Sequence, residues 1–376
     1  MNILVTGSKG FIGSNLLVWL TERPQYRVLE FDKDNTWDEL TQALPETDLV
    51  VHLAGINRPQ TDDEFTAGNV ELTAHICRQL IALGRAVSII LSSSIQAELD
   101  NPYGVSKRKA EEVVRDYAER SGATVVIFRL TNVFGKWCRP NYNSVVATFC
   151  HNIAHDLPIT ISDPARELDF IHVDDVMRCF LAEIEHLESA VGGSGAVIYR
   201  EATPSHSVTL GRLAELIRSF RQSRQTLFVP DLGDPFVHKL YGTYLSYLEP
   251  DDFAYDLTQR TDPRGSLAEF VKSEPFGQIF VSRTKPGITR GNHFHHTKTE
   301  KFLVLEGEAV IRFRQIMGNE VLEYLVRGED YRVLDIPPGY THSIENVGDG
   351  ELVTLFWASE IFDPDKPDTV WDQVQP

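Results

Sequence analysis

The sequence predicts an α/β unit built on a doubly wound parallel sheet, followed by an all-β barrel. Three observations carry this. Over the first half of the chain, short apolar runs alternate with helix-period segments, the pattern of successive β-α units. A glycine-rich turn separates the first apolar run from the first helix. After about residue 255 the helical period fades, and short strand-like runs recur between Gly, Asp and Asn turns. With 376 residues the chain has room for two domains, expected at 1–252 and 253–376.

Taken in order, the apolar runs at 3–6, 27–31, 49–53, 87–91 and 125–129 predict strands, and the periodic segments at 13–21, 69–83 and 107–121 predict helices. The interval between residues 31 and 49 is short, so one strand–helix unit is expected to be trimmed. A helix is predicted over 208–220, and the Pro, Gly, aromatic and acidic mixture over 231–256 predicts a connector. Barrel strands are predicted over 278–282, 301–305, 309–313, 320–325 and 353–357.

Composition excludes some functions. The 36 Lys and Arg against 54 Asp and Glu leave a net charge of −18, which argues against nucleic acid or an anionic membrane as the main partner. An anionic small substrate needs only a few local cations and stays open. Met1-Asn2 runs directly into the strand, with no basic leader and no long apolar span, so a cytoplasmic protein is expected. Cys77, Cys138, Cys150 and Cys179 show no C-x-x-C spacing and are expected to be free thiols.

The glycine turn reads Gly7-Ser8-Lys9-Gly10-Phe11-Ile12-Gly13. Glycines let the backbone approach a pyrophosphate, and the following helix N-terminus offers unpaired N–H groups and a favourable dipole. The expected cofactor set is this turn (Gly7, Lys9, Gly10, Phe11, Ile12, Gly13), Asp32 and Lys33 after the second strand, and Leu53, Ala54 and Gly55 after the third. Asp32 stands where an acid takes ribose hydroxyls, which favours NAD; Lys33 and Lys9 could instead pair with a 2′-phosphate, which favours NADP. The residues alone leave this choice open.

Ser92-Ser93-Ser94 closes a strand, and Tyr103 and Lys107 follow four apart at the start of a helix, so they share a face. A lysine ammonium near the phenol is expected to lower its pKa, so that it can trade a proton with an alcohol or ketone. A serine hydroxyl would orient the same oxygen. This ordering resembles the extended short-chain dehydrogenase/reductase family, over roughly residues 1–198, and implies a Rossmann-like sheet. The resemblance implies Ser94, Tyr103 and Lys107 as catalytic residues, with Ser93 the alternative serine. Arg129-Leu130-Thr131-Asn132-Val133-Phe134-Gly135 matches the family's R-x-x-N-x-x-G segment and implies Asn132 near the nucleotide sugar. Asp169-Phe170-Ile171-His172-Val173-Asp174-Asp175 matches a second segment; Leu168 replaces its usual leading Arg, so Arg166 or another cation is expected at the diphosphate. Lys136 stands where many members carry Pro. Sugar dehydratases of the family carry an acid pair after the serine strand; here Ile95-Gln96 follow, which leaves hydride transfer at a ketone.

The second half carries H-x-H-x4-E-x6-G (His293, His295, Glu300, Gly307) and P-x-G-x2-H-x3-N (Pro337, Gly339, His342, Asn346). His293 and His295 alternate on a predicted strand and point to one face, whereas His296 points away. Three imidazoles and a carboxylate suit a divalent metal: Zn, Mn, Fe or Ni. The pattern resembles the cupin family over roughly residues 255–376 and implies a jelly-roll barrel with His293, His295, Glu300 and His342 facing its interior. Tyr331 replaces a usual turn glycine there. Beside a 4-keto sugar, a divalent metal would acidify the proton on the adjacent carbon, and one base could remove and return it. Tyr340 is one candidate for that base.

A reductase followed by a metal-bearing cupin resembles the CapF-type family of bifunctional capsular polysaccharide enzymes of the UDP-N-acetyl-L-fucosamine pathway. The resemblance implies C3 epimerisation of a UDP-linked 4-keto-6-deoxy-N-acetylhexosamine (a UDP-2-acetamido-2,6-dideoxy-4-hexulose) by the cupin domain. NADPH-dependent C4 reduction to UDP-2-acetamido-2,6-dideoxy-L-talose would follow in the reductase domain. It also implies NADPH as cofactor, Zn as metal, and a homodimer or homotetramer. The alternatives are a UDP-sugar 4-epimerase or reductase whose cupin serves only oligomerisation, a ligand sensor, and a metal oxygenase.

Overall fold

The computed structural model describes residues 1–59, 61, 63–189 and 195–375. The chain divides into two compact units: Met1–Arg218 with Lys239–Leu248, and Ser219–His238 with Glu249–Pro376.

In the first unit the strands are β1 (Asn2–Thr6), β2 (Arg27–Phe31), β3 (Leu49–His52), β4 (Ser88–Ser94), β5 (Val125–Leu130), β6 (Asn132–Phe134), β7 (Glu167–His172), β8 (Val197–Arg200) and β9 (Ser205–Thr209). Six form one parallel sheet in the order β2-β1-β3-β4-β5-β8. β1, β3 and β5 are buried on both faces, which is why they read as continuous apolar runs. Separate apolar clusters cover the two faces, one around Val5, Phe128 and Phe180, the other around Leu4, Ile76 and Tyr117. The doubly wound expectation is borne out. The sheet order reverses between β1 and β3, and a ligand crevice forms at the C-terminal ends of strands at such a point.

The trimmed unit between β2 and β3 is a seven-residue helix, Trp37–Ala43, started by a Thr36–Glu39 capping box. The connector expected over 231–256 instead contains the helix Pro235–Leu245. Its start signal is in the sequence: Asp234 Oδ1 accepts the Phe236 and Val237 amides at 2.8 and 3.2 Å, and Pro235 occupies the first helical position. Helices Val145–Ala154 and Val173–Ser189 add elements that the strand-by-strand reading did not resolve.

The second unit contains β10 (Gln259–Asp262), β11 (Gly265–Ser273), β12 (Gly277–Thr284), β13 (Thr289–Phe294), β14 (Glu300–Glu306), β15 (Glu308–Gln315), β16 (Val321–Arg327), β17 (Val333–Ile336), β18 (Tyr340–Asn346), β19 (Leu352–Ala358) and β20 (Val370–Trp371). They form antiparallel sheets in the orders β10-β11-β12-β19-β14-β17 and β16-β15-β18-β13-β20. Phe302, Val304 and Phe356 from one sheet share a core with Ile311, Phe313 and Ile344 from the other. This is the jelly-roll arrangement expected of a cupin. The four cysteines are free, and among the described residues no helix is long and apolar enough to cross a membrane.

Candidate active site and metal centre

The crevice of the first unit has a volume of about 490 Å³ and opens at the strand-order reversal. Gly7, Lys9, Gly10, Phe11, Ile12 and Gly13 line it, with Leu53 and Gly55 facing them from the end of β3. The close approach explains the glycines. A Cβ on Gly13 would stand 2.0 Å from the Gly7 carbonyl oxygen, and Gly7 itself has φ +70°. Ala54 lies behind the crevice wall, its amide donating to Thr6 Oγ1 at 3.3 Å. Asp32 and Lys33 do not line the crevice either. The Asp32 carboxylate instead accepts the Lys9 and Lys33 amides, both at 2.8 Å, and so pins the glycine turn to the end of β2. The Lys9 ammonium is paired with Asp34 at 2.8 Å.

Beneath this wall the buried His52 ring joins β1 to the helix beyond β3. Thr73 donates its hydroxyl to the Asn69 carbonyl, so it accepts from His52 Nε2 at 2.9 Å. His52 Nδ1 is then left as the acceptor for the Thr6 hydroxyl at 2.6 Å, and the ring is neutral. Burial, then the charge of Lys107, pushes its pKa down to about 3. The unfolded chain takes up this proton below about pH 6.5, whereas the native state refuses it until about pH 3. Native stability is therefore expected to fall as pH drops through that window, by up to about 1.4 kcal/mol per pH unit from this ring. Urea midpoints of wild type and His52→Gln between pH 7 and 4 would show it, as a shallower slope in the variant.

Ser94, Tyr103 and Lys107 all line the crevice. Asn101 caps the helix Pro102–Ser121, accepting the Gly104 amide at 2.8 Å, and this places Tyr103 and Lys107 in its first two turns. The two serines separate cleanly. Ser93 donates its hydroxyl to Glu111 Oε1 at 2.5 Å, and Arg129 holds the same carboxylate at 2.7 and 3.1 Å. The Ser94 hydroxyl is outside that pair, lines the crevice, and acts on the Tyr103 phenol. The expected lowering of the Tyr103 pKa by Lys107 is not what the geometry gives. Burial raises the phenol, and Ser94, not the lysine, opposes that rise. The Lys107 ammonium donates to the Ser92 carbonyl at 2.8 Å, and burial brings it down to about 8 against the charge of Glu111.

Asn132 lines the crevice, with its amide donating to the Asp169 carbonyl at 3.0 Å. Arg166 does not reach it. Its backbone is held in a turn, with the amide bonded to Asp163 and the carbonyl to Leu210. Besides Lys9 and Lys107, Arg139 lines the crevice, stacked 5.2 Å above the Tyr142 ring in the loop after Gly135. The R-x-x-N-x-x-G match stops one residue before that loop, so the motif carried no signal for it. Gln96 lines the wall where a dehydratase would carry acid.

In the second unit His293, His295, Glu300 and His342 bring their ligand atoms within 4.8 Å of one another. His293 sits opposite His342 across β13 and β18, next to a register shift at Gly291. The Nε2 atoms of His295 and His342 each lie 3.4 Å from Glu300 Oε2. Both are buried without a hydrogen-bond partner. His295 Nδ1 donates to the Asp368 carbonyl, and His342 Nδ1 faces the Tyr340 carbonyl at 3.3 Å. The Nε2 lone pairs therefore converge on a carboxylate oxygen. That arrangement is repulsive unless a cation lies among them, and three imidazoles with a carboxylate form a donor set for a divalent ion. Burial, reinforced by His342 and His295, holds His293 at about 3, neutral as a ligand must be. Lys298 Nζ stands 3.3 Å from Glu300 Oε1. A separate cavity of about 350 Å³ is lined by Phe313, Tyr324, Leu334 and Tyr340 among others.

A dinucleotide turn, a Ser–Tyr–Lys set and an Asn on the same crevice define a nucleotide-sugar oxidoreductase scaffold, here joined to a jelly roll with a metal-type cluster. Residues 3–198 match the NAD dependent epimerase/dehydratase family, and residues 260–370 match the polysaccharide biosynthesis C-terminal domain. The chain belongs to the NAD dependent epimerase/dehydratase family. It is 43% identical over 369 residues, 98% of each chain, to the UDP-2-acetamido-2,6-beta-L-arabino-hexul-4-ose reductase of Pseudomonas aeruginosa. It is similar to the crystal structure of the capsular polysaccharide assembling protein CapF from Staphylococcus aureus, with 46% identity and a TM-score of 0.90 over 99% of this chain and 100% of that one. The resemblance to the CapF type thus extends across both units. A UDP-glucuronic acid 4-epimerase from Bacillus cereus shares the fold of the first unit, with a TM-score of 0.52 at 19% identity over 58% of this chain and 83% of that one.

Proposed function

We propose that the protein is a bifunctional nucleotide-sugar enzyme of capsule polysaccharide synthesis. The C-terminal domain, 253–376, epimerises C3 of a UDP-2-acetamido-2,6-dideoxy-4-hexulose. The N-terminal domain, 1–252, then reduces the C4 ketone with NADPH to UDP-2-acetamido-2,6-dideoxy-L-talose. The observation that carries the reading is the presence on one chain of a Ser94–Tyr103–Lys107 crevice and a buried His₃Glu cluster. The near full-length similarity to a UDP-hexulose reductase supports it.

In the crevice, the nicotinamide supplies the hydride. Tyr103 gives its proton to the C4 oxygen, Ser94 hydrogen-bonds that oxygen, and the Lys107 ammonium, anchored on the Ser92 carbonyl, supplies positive charge to the crevice. The glycine turn and its helix N-terminus take the pyrophosphate, and Lys33 is our assignment for the 2′-phosphate of NADPH. Asn132 faces the sugar, and we assign the substrate diphosphate to Arg139 in place of Arg166. In the barrel, His293, His295, Glu300 and His342 hold a divalent ion, taken as Zn, which supplies Lewis acidity toward a ketone. Tyr340 shares a face of β18 with His342, and we assign it the proton transfer at C3. The protein works in the cytoplasm as a homodimer or homotetramer on this reading.

The test is proton NMR of the purified protein with UDP-4-keto-6-deoxy-N-acetylhexosamine in D₂O, with and without NADPH. Deuterium should enter C3 without NADPH, and the C4 alcohol should form only with it. A wild-type protein that reduces without any exchange would leave the barrel as a mere oligomerisation or sensing module.

A further inference from the structure

The C-terminal segment beyond Ile361 runs as a strap past residues next to His293, His295 and His342 and along the turn that leads to Glu300. At its centre is Asp368. Its carboxylate accepts the amides of His296, Thr297 and Lys298, each at 2.8 Å, and the Thr297 hydroxyl at 3.0 Å. Those three amides form the turn between His295 and Glu300. The same residue's carbonyl accepts His295 Nδ1–H, which sets the tautomer and leaves Nε2 free toward the cluster. One residue thus holds both the turn and a ligand ring.

The strap then grips the other two ligand strands. β20 pairs with β13, with Trp371 opposite His293. The Asp372 amide donates to the Asn292 carbonyl at 2.9 Å, and the Val374 amide to Asn292 Oδ1 at 3.2 Å. Asn292 needs this support: it has φ +59° at the register shift that aims His293. The Asp372 carboxylate accepts the hydroxyl of Thr341, the residue before His342, and pairs with Arg314 at 2.6 Å. Arg314 also donates to the Gln373 and Val374 carbonyls at 2.8 and 3.2 Å.

We infer that this strap is the outer shell of the metal centre, and that Asp368 and Asp372 are positioning residues for divalent-ion binding. The inference rests on the metal reading proposed above. Outer-shell partners that orient ligating side chains govern affinity by about 10–100-fold. Four acceptor contacts from one carboxylate, made within the six residues from His295 to Glu300 that carry two ligands, are a strong instance of that role.

The experiment uses the full chain, stripped with a chelator and refilled with Zn²⁺ in competition with a chromophoric chelator, or with Co²⁺ read by its d–d absorption. Asp368→Ala should weaken Zn²⁺ binding by about 10–100-fold and change the Co²⁺ band, with unchanged far-UV circular dichroism. Asp368→Asn, which keeps the shape and one acceptor oxygen, should recover part of the affinity. Asp372→Asn should weaken it through Thr341 and Arg314, and it decides the matter if Asp368→Ala does not fold. Asp363→Ala lies in the same strap but bonds only the Asp365 amide, and it should match wild type. Affinities within about threefold of wild type for both Asp368→Asn and Asp372→Asn, with an unchanged Co²⁺ spectrum, would overturn the inference. Wild-type protein that takes up neither ion would overturn the metal reading itself, a distinct result.

Discussion

Tyr103→Phe is expected to slow C4 reduction by about 10²–10⁴-fold, the span of one positioned proton donor. The substitution removes a single oxygen. The ring keeps its place against Phe65, with centroids 5.8 Å apart, and the helix cap at Asn101 is untouched, so fold and cofactor binding should persist. The lost atom is the phenol oxygen that Ser94 acts on in the crevice. NADPH consumption followed at 340 nm measures the reduction, and NADPH fluorescence checks binding. Deuterium uptake at C3 should continue at the wild-type rate. If Tyr103→Phe also stopped the exchange, the division of labour between two sites would be wrong.

His293→Ala is expected to do the reverse. Its ring lies 4.5 Å from that of His342 and 4.9 Å from that of His295, at the more accessible side of the cluster. Removing it opens the donor set and leaves the barrel core around Phe302 and Phe356 intact. C3 exchange should fall by at least about 100-fold, or about 2.7 kcal/mol of barrier. Metal content by elemental analysis should fall with it. NADPH-dependent reduction of a substrate supplied already epimerised should be unchanged. Wild-type exchange by the metal-depleted variant would remove the cluster from the chemistry.

Much of the architecture was legible because its signals are local. A turn of three glycines between a strand and a helix must approach something closely, and the Gly7–Gly13 contact accounts for it. Tyr103 and Lys107 lie one helical turn apart, so their shared face follows from the helical period. His293 lies on β13 and His295 one residue past its end, in the turn that leads to Glu300, and short spacing along the chain is enough to bring them together. The helix Pro235–Leu245 was legible too, in Asp234 and Pro235, but the surrounding composition masked it.

What only the tertiary structure decided depends on groups far apart in sequence. Ser93 and Ser94 are indistinguishable along the chain. Glu111, 18 residues on, engages the first and leaves the second for Tyr103. Arg166 sits beside the right motif, yet its turn is bonded to Asp163 and Leu210 and it does not line the crevice, whereas Arg139 does. Asp368 lies 73 residues from His295 and has no motif spacing to announce it. The sequence by itself determined the fold class and the reactive residue types, because strand and helix periods and ligand spacing act over a few residues. Which hydroxyl, which cation and which carboxylate support the chemistry was decided by packing, because hydrogen-bond partners are chosen only once distant segments meet.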